Sequence, residues 1–114
     1  MAATVNVNGQ ITPESEALIP VFDHGFLYGE GIYETLRTYD GRLFLFDRHL
    51  RRLRNSARLI DLAIPFSDEE LAKRIHETIA AANLEGNEAY VRVLVTRGVG
   101  ELTYDLQATP KPSW

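Results

Sequence analysis

The chain has 114 residues, a length suited to one domain built around one core. Its net charge of −4 lacks the basic excess of a nucleic-acid binder, and the absence of cysteine excludes disulfides, cysteine metal sites and thiol nucleophiles. No apolar run approaches the roughly 18–20 residues that span a bilayer, and Met1 to Asn8 lacks the basic and apolar regions of a secretory signal, so a cytoplasmic setting is expected.

Val5, Val7 and Ile11 alternate with polar residues around Asn8-Gly9, which predicts a hairpin with strands near 4–7 and 10–12. A polar turn over Thr12 to Glu16 and a short apolar segment, Ala17 to Phe22, lead into the stretch His24 to Arg37. There, three glycines in seven residues stand between aromatic and ionisable side chains. Glycine serves where the backbone needs φ > 0 or a close approach, so this stretch reads equally as a bulged core strand or as the wall of a ligand site.

Ile32 to Phe46 predicts a second hairpin turning at Asp40-Gly41, with Tyr39 opposite Arg42, Arg37 opposite Phe44, and Thr35 opposite Phe46. One face then carries Tyr33, Thr35, Arg37 and Tyr39, and the other carries Ile32, Glu34, Leu36 and Thr38 as the core side. Asp47 is placed to N-cap a helix running to about Leu62, with Leu50, Leu53, Ala57 and Ile60 as its buried stripe. Ser67 and Glu70 form a capping box for a second helix to about Asn83, buried through Leu71, Ile75, Ile79 and Ala82. Glu88 to Arg97 alternates as a strand, with Tyr90, Arg92, Leu94 and Thr96 on one face. Leu102 to Trp114 shows no clear element. The order of elements predicts an α+β domain over 1–114, a mostly antiparallel sheet with two adjacent helices packed on one face.

Five arginines crowd the first of these helices, and for most a solvated face is the plain reading. Arg52 differs because it adjoins the Leu50/Leu53 stripe, where a guanidinium can grip phosphate through two hydrogen bonds. Tyr90 and Arg92 share a strand face and offer a hydroxyl and a fixed cation, a combination suited to a carboxylate. His24, His49 and His76 have no metal-ligand spacing, and no serine sits in a nucleophile motif.

With these features together the chain resembles the class IV (fold-type IV) pyridoxal-phosphate enzymes, which include branched-chain aminotransferases, D-amino acid aminotransferases and aminodeoxychorismate lyases. The resemblance runs from about Val5 to Asp105. It rests on Tyr28-Gly29-Glu30-Gly31-Ile32-Tyr33-Glu34, then Asp40-Gly41, then His49-Leu50-Arg51-Arg52-Leu53, then Tyr90-Val91-Arg92 with Thr96-Arg97-Gly98. It implies the N-terminal small domain of a two-domain, dimeric enzyme. Arg52 would bind the cofactor phosphate, and Tyr33, Tyr90 and Arg92 would face the substrate. Tyr28 would line the pocket, partly across a dimer interface.

Within the family, the D-amino acid enzymes place an Arg-x-His carboxylate trap where this chain reads Val99-Gly100-Glu101-Leu102-Thr103-Tyr104. The branched-chain type is therefore the expected one, with an amino acid and a 2-oxo acid as substrates, and aminodeoxychorismate lyase stays as the alternative. The resemblance also implies a Schiff-base lysine, yet Lys73 and Lys111 are the only lysines and neither has the family's context. A fragment lacking the larger domain, inactive alone and without catalytic residues of its own, is the expectation. A stand-alone, non-catalytic module that binds a partner protein or an anionic metabolite through its Tyr/Arg face is the rival from another class.

Overall fold

The computed structural model of the chain describes residues 2–103, 105 and 108–114. Tyr104, the last residue of the stretch set against the Arg-x-His trap, lies outside the described residues, as does Met1. The architecture is α+β with antiparallel sheets, as expected.

The first hairpin forms as its alternation requires. Strand β1, Thr4–Val7, pairs with β2, Gln10–Pro13, and the turn takes its positive φ at Asn8 and Gly9. A single 3-10 turn at Glu14–Glu16 follows.

The stretch from Asp23 departs from the expected strand entry. It opens as a five-residue helix, α1, His24–Tyr28, rather than as a bulged strand. Asp23 caps it, accepting from the Gly25 amide at 2.8 Å, and Gly29 closes it in the left-handed region at φ 67. A helix of one turn is too short to show a periodicity, so only the cap residues announce it.

Strand β3, Gly31–Tyr39, then forms the centre of a three-stranded sheet. On one edge it meets β4, Arg42–Leu43, with Tyr39 opposite Arg42 as expected. The Phe44 amide still donates to the Arg37 carbonyl at 2.9 Å, and there the hairpin ends. Leu45 turns to φ 53, which lifts the chain off the sheet. Thr35 therefore does not face Phe46. Its partner is Arg92 on β5, Tyr90–Thr96, which lines the other edge of β3 from Gly31↔Thr96 to Arg37↔Tyr90.

Helix α2, Phe46–Leu59, starts one residue before Asp47, so Asp47 is not its N-cap. Leu45 is, with no side-chain bond, because the tight turn out of β4 brings the Leu45 carbonyl to the Arg48 and His49 amides. Asp47 sits instead in the first turn, where its charge favours the positive helix end. The helix stops three residues short of Leu62, which folds back to donate to the Ala57 carbonyl and is buried. Helix α3, Asp68–Ala82, begins at the expected Ser67 cap, whose hydroxyl accepts from the Glu70 amide at 3.1 Å.

Both helices cover the same face of the sheet. Leu50, Leu53 and Ala57 of α2 and Leu71 and Ile75 of α3 meet Ile32 and Leu36 of β3 and Val93 and Val95 of β5. The chain's end closes this core from the side. Ser113 bridges Thr96, Trp114 packs edge-on to Phe66, and Asn8 of the first hairpin accepts from the Trp114 amide at 2.8 Å. Among the described residues no helix is long and apolar enough to cross a membrane.

Leu53 is among the largest fully buried side chains, whereas Leu59 at the end of the same helix is 86% exposed. Leu53→Ala is expected to cost about 2–5 kcal/mol of stability through lost transfer energy and a cavity. Leu59→Ala is expected to stay within about 0.5 kcal/mol. Urea unfolding of the two variants, read as midpoints at equal slope, checks the contrast.

Candidate functional site

Because side chains alternate along a strand, β3 sends Tyr33 and Glu34 to opposite faces of the sheet. The candidate residues divide accordingly. Tyr33, Tyr90 and Arg92 gather on the face away from the helices, and Arg52 lies on the helix side.

On the open face, register does the assembling. Tyr33 pairs with Leu94, Thr35 with Arg92 and Arg37 with Tyr90, so Arg92 is the diagonal neighbour of Tyr33. Its guanidinium carbon lies 4.4 Å from the centre of the Tyr33 ring, a cation–π stack that holds the charge over the sheet. Tyr90 stands beside them at 79% exposure, its ring free of core packing. The same chemistry repeats at the sheet's far end, where Arg37 stacks on Tyr39 at 4.0 Å and Tyr39 meets Phe44 edge to face.

On the helix face, Glu34 is 5% exposed and points at α2. Arg52 grips it through two hydrogen bonds, Nε donating to Oε2 at 2.7 Å and Nη2 to Oε1 at 2.8 Å. His49, one turn earlier on the helix, places Nδ1 2.7 Å from Oε1. The Arg52 guanidinium, followed by the His49 contact, holds the Glu34 carboxyl below its ordinary value of 4.5 against the opposing effect of burial. Arg52 itself keeps 69% of its side chain exposed.

Tyr28 closes α1 with its ring edge-on to His24, centroids 4.8 Å apart. This corner is held by residues that sequence reasoning set aside or quoted only as part of a motif. His24 is fully buried, its amide donates to the Gly98 carbonyl at 2.8 Å, and its Nε2 donates to the Glu101 carbonyl at 2.7 Å. Glu30 lies 3.1 Å from Arg97 Nε and 3.5 Å from His24 Nδ1. Arg97, also buried, donates to the Ile60 and Asp61 carbonyls at the end of α2. Gly25 has no room for a Cβ against the Thr96 side chain, which is why that position is a glycine. Asp23 Oδ1 accepts from the Thr96 hydroxyl at 2.8 Å as well as from α1. The one available signal was Asp23 preceding an apolar, glycine-closed turn.

Neither lysine joins the site. Lys73 pairs with Glu77 on α3, and Lys111 is exposed between two prolines near the chain's end. For a phosphorylated cofactor, the donor set fits in part. Arg52 presents an oriented, exposed guanidinium, and no lysine stands near it in the contacts that hold it.

Residues 31–114 match the profile of the class IV amino-transferase family. A Methanocaldococcus jannaschii protein that carries a provisional branched-chain-amino-acid aminotransferase name is 41% identical over 96% of this chain and 37% of its own. A D-alanine aminotransferase of Listeria monocytogenes is 38% identical over 83% of this chain and 32% of its own. The aminodeoxychorismate lyase of Bacillus subtilis is 31% identical over 96% and 37%. The Escherichia coli branched-chain amino acid aminotransferase superposes with a TM-score of 0.85 at 26% identity, covering 99% of this chain and 38% of that one. The chain thus spans roughly a third of the length of the relatives it matches.

The lowered Glu34 carboxyl sets a pH dependence with a definite sign. A carboxylate whose folded-state pKa is depressed stabilises the fold above the unfolded value and loses that contribution as pH falls through the folded value. Glu88 behaves alike, held down first by the Thr38 hydroxyl and then by the turn amides of Gly41 and Asp40. Stability is therefore expected to fall as pH drops below the ordinary 4.5. Urea midpoints between about pH 6 and about pH 3 should fall less steeply in Glu34→Gln than in the parent chain. Equal slopes would show that the Glu34 charge is not coupled to folding.

Proposed function

The chain belongs to the class IV aminotransferase family, and on that premise we propose that it forms the small domain of a pyridoxal-phosphate-dependent transaminase. The substrates are an L-amino acid, of the branched-chain type, and a 2-oxo acid. The observation that carries this reading is the pair of cations fixed on the two faces of β3. Arg52 is aimed by Glu34 on one, and Arg92 is stacked on Tyr33 on the other.

When bound, pyridoxal phosphate supplies the electron sink for breaking a bond at the substrate's α-carbon and the carrier for its amino group. This chain's part is to bind and orient. Arg52 meets the phosphate with paired N–H groups, for which guanidinium geometry is suited. Tyr90 offers a hydroxyl to the substrate carboxylate, while Tyr33 and Arg92 wall the side-chain pocket, with Tyr28 at its rim. The Schiff-base lysine is assigned to the remaining length found in the relatives, and the 114-residue chain alone is inactive in this reading. The assembled protein is a cytoplasmic homodimer or higher oligomer.

Support for the branched-chain type comes from the 41% identical relative and from the absence of an Arg-x-His pair over Val99 to Tyr104. The lyase reading keeps the same fold and rests on the Bacillus subtilis relative. Product analysis separates the two, since only the transaminase needs a 2-oxo acid acceptor for turnover.

In the full-length protein, Arg52→Ala is expected to weaken retention of pyridoxal phosphate by about tenfold or more, while Arg51→Ala leaves it near the parent value. Dialysis followed by absorbance reads the difference, and equal losses would place the anchor elsewhere. Arg92→Ala is expected to raise KM for amino acid by about tenfold with cofactor retention unchanged. Borohydride reduction should fix the chromophore to a lysine of the full-length protein, and fixation to Lys73 or Lys111 would overturn the assignment of the lysine to the remaining length.

A further inference from the structure

A flexible arginine must give up much of its rotational freedom to hold an anion, and one already aimed loses less. Arg52 is such a side chain, because Glu34 takes one edge of its guanidinium. A guanidinium carries five N–H donors, and the side-on pair, Nε and one Nη2 hydrogen, is spent on the carboxylate. The end-on edge, Nη1 with the second Nη2 hydrogen, is not used by that pair, on a side chain that is 69% exposed. Two parallel donors at that edge match two oxygens of a phosphate.

Glu34 is itself held. Seven residue pairs between β3 and β5 fix its backbone, and its Oε1 receives His49 Nδ1 as well as Arg52 Nη2. His49 and Arg52 lie three residues apart on α2 and so project to the same side. A carboxylate is a costly choice for the core side of a sheet. Its neighbours on that side, Ile32 and Leu36, are apolar, and an apolar residue at 34 would avoid the desolvation of a charge.

We propose that Glu34, supported by His49, is a positioning residue that presents the end-on edge of Arg52 to the cofactor phosphate. This rests on the reading of Arg52 as the phosphate anchor. Glu34 touches neither cofactor nor substrate and acts through Arg52 alone.

The test compares pyridoxal 5′-phosphate with pyridoxal, which lacks the phosphate, by equilibrium titration of the full-length protein. Glu34→Gln keeps the side chain's size but turns one acceptor into a donor facing Arg52. It is expected to weaken pyridoxal phosphate by about tenfold and to leave pyridoxal within about twofold. In an Arg52→Ala background it should add nothing, since the group it acts through is gone. The phosphorus resonance of bound cofactor should move toward its free position in Glu34→Gln and in Arg52→Ala alike. Equal losses for both ligands in Glu34→Gln would make Glu34 a purely structural residue and overturn the inference. An unchanged preference for the phosphorylated ligand in Glu34→Gln, with that preference lost in Arg52→Ala, would overturn it while leaving the anchor intact. An unchanged preference in Arg52→Ala would overturn the anchor and the inference together. If Glu34→Gln does not fold, His49→Asn reads the same ratio, and an unshifted ratio there counts against the support of Glu34.

Discussion

A carboxylate buried beneath a sheet has to be met by donors, and in this protein that requirement ties strand to helix. Glu34 sits in the middle of β3 and draws Arg52 and His49 of α2 onto the sheet. Leu50 and Leu53, on the same helix turns, enter the core with them. The apolar packing supplies most of the driving force, roughly in proportion to area removed from water. The ion pair supplies direction. It decides which turn of α2 lies over which residue of β3, because a guanidinium reaches a carboxylate through two bonds in few geometries.

A second polar junction settles the other end of the molecule. α1 is too short to be stable by itself and persists because its cap, Asp23, also holds Thr96, while Glu30 and Arg97 join its exit to the end of α2. Arg97 also answers a need that every helix end has, carbonyls without a partner inside the helix. The corner that carries Tyr28 is thus fixed by contacts of β5 and α2, elements far along the chain from it.

What the residues announced beforehand follows the range of the interactions involved. Alternation and two-residue turns are local, and the faces of β3 and β5 and the first hairpin were legible from them. The helix stripes were legible for the same reason. The start of α2 was misplaced because a positive φ at Leu45, an unusual residue for it, carries no local signature. The pairing of Thr35 with Arg92 was out of reach, since it joins β3 to a strand more than fifty residues away, on the edge opposite the hairpin. At the site, spacing alone put Tyr90 with Arg92 on one strand face and Tyr33 on the non-core face of another, and only the register of β3 with β5 brings the three together. The partnership of Glu34 with Arg52 was not legible, because the two stand eighteen positions apart across a turn of unexpected shape. His24 was set aside as a metal ligand and Arg97 quoted only within a motif, and only their burial reveals their work.

The two faces of β3 differ in how freely they can change over evolutionary time. Tyr33 and Tyr39 stand exposed on the one face, and the ladder that carries Tyr33 is held by backbone bonds indifferent to side-chain identity. Exchanges there leave the scaffold standing. One residue along the same strand, an exchange at Glu34 releases an arginine, a histidine and the seating of a helix together. A lineage can therefore rewrite one side of a single strand, while the other side keeps helix and sheet in register.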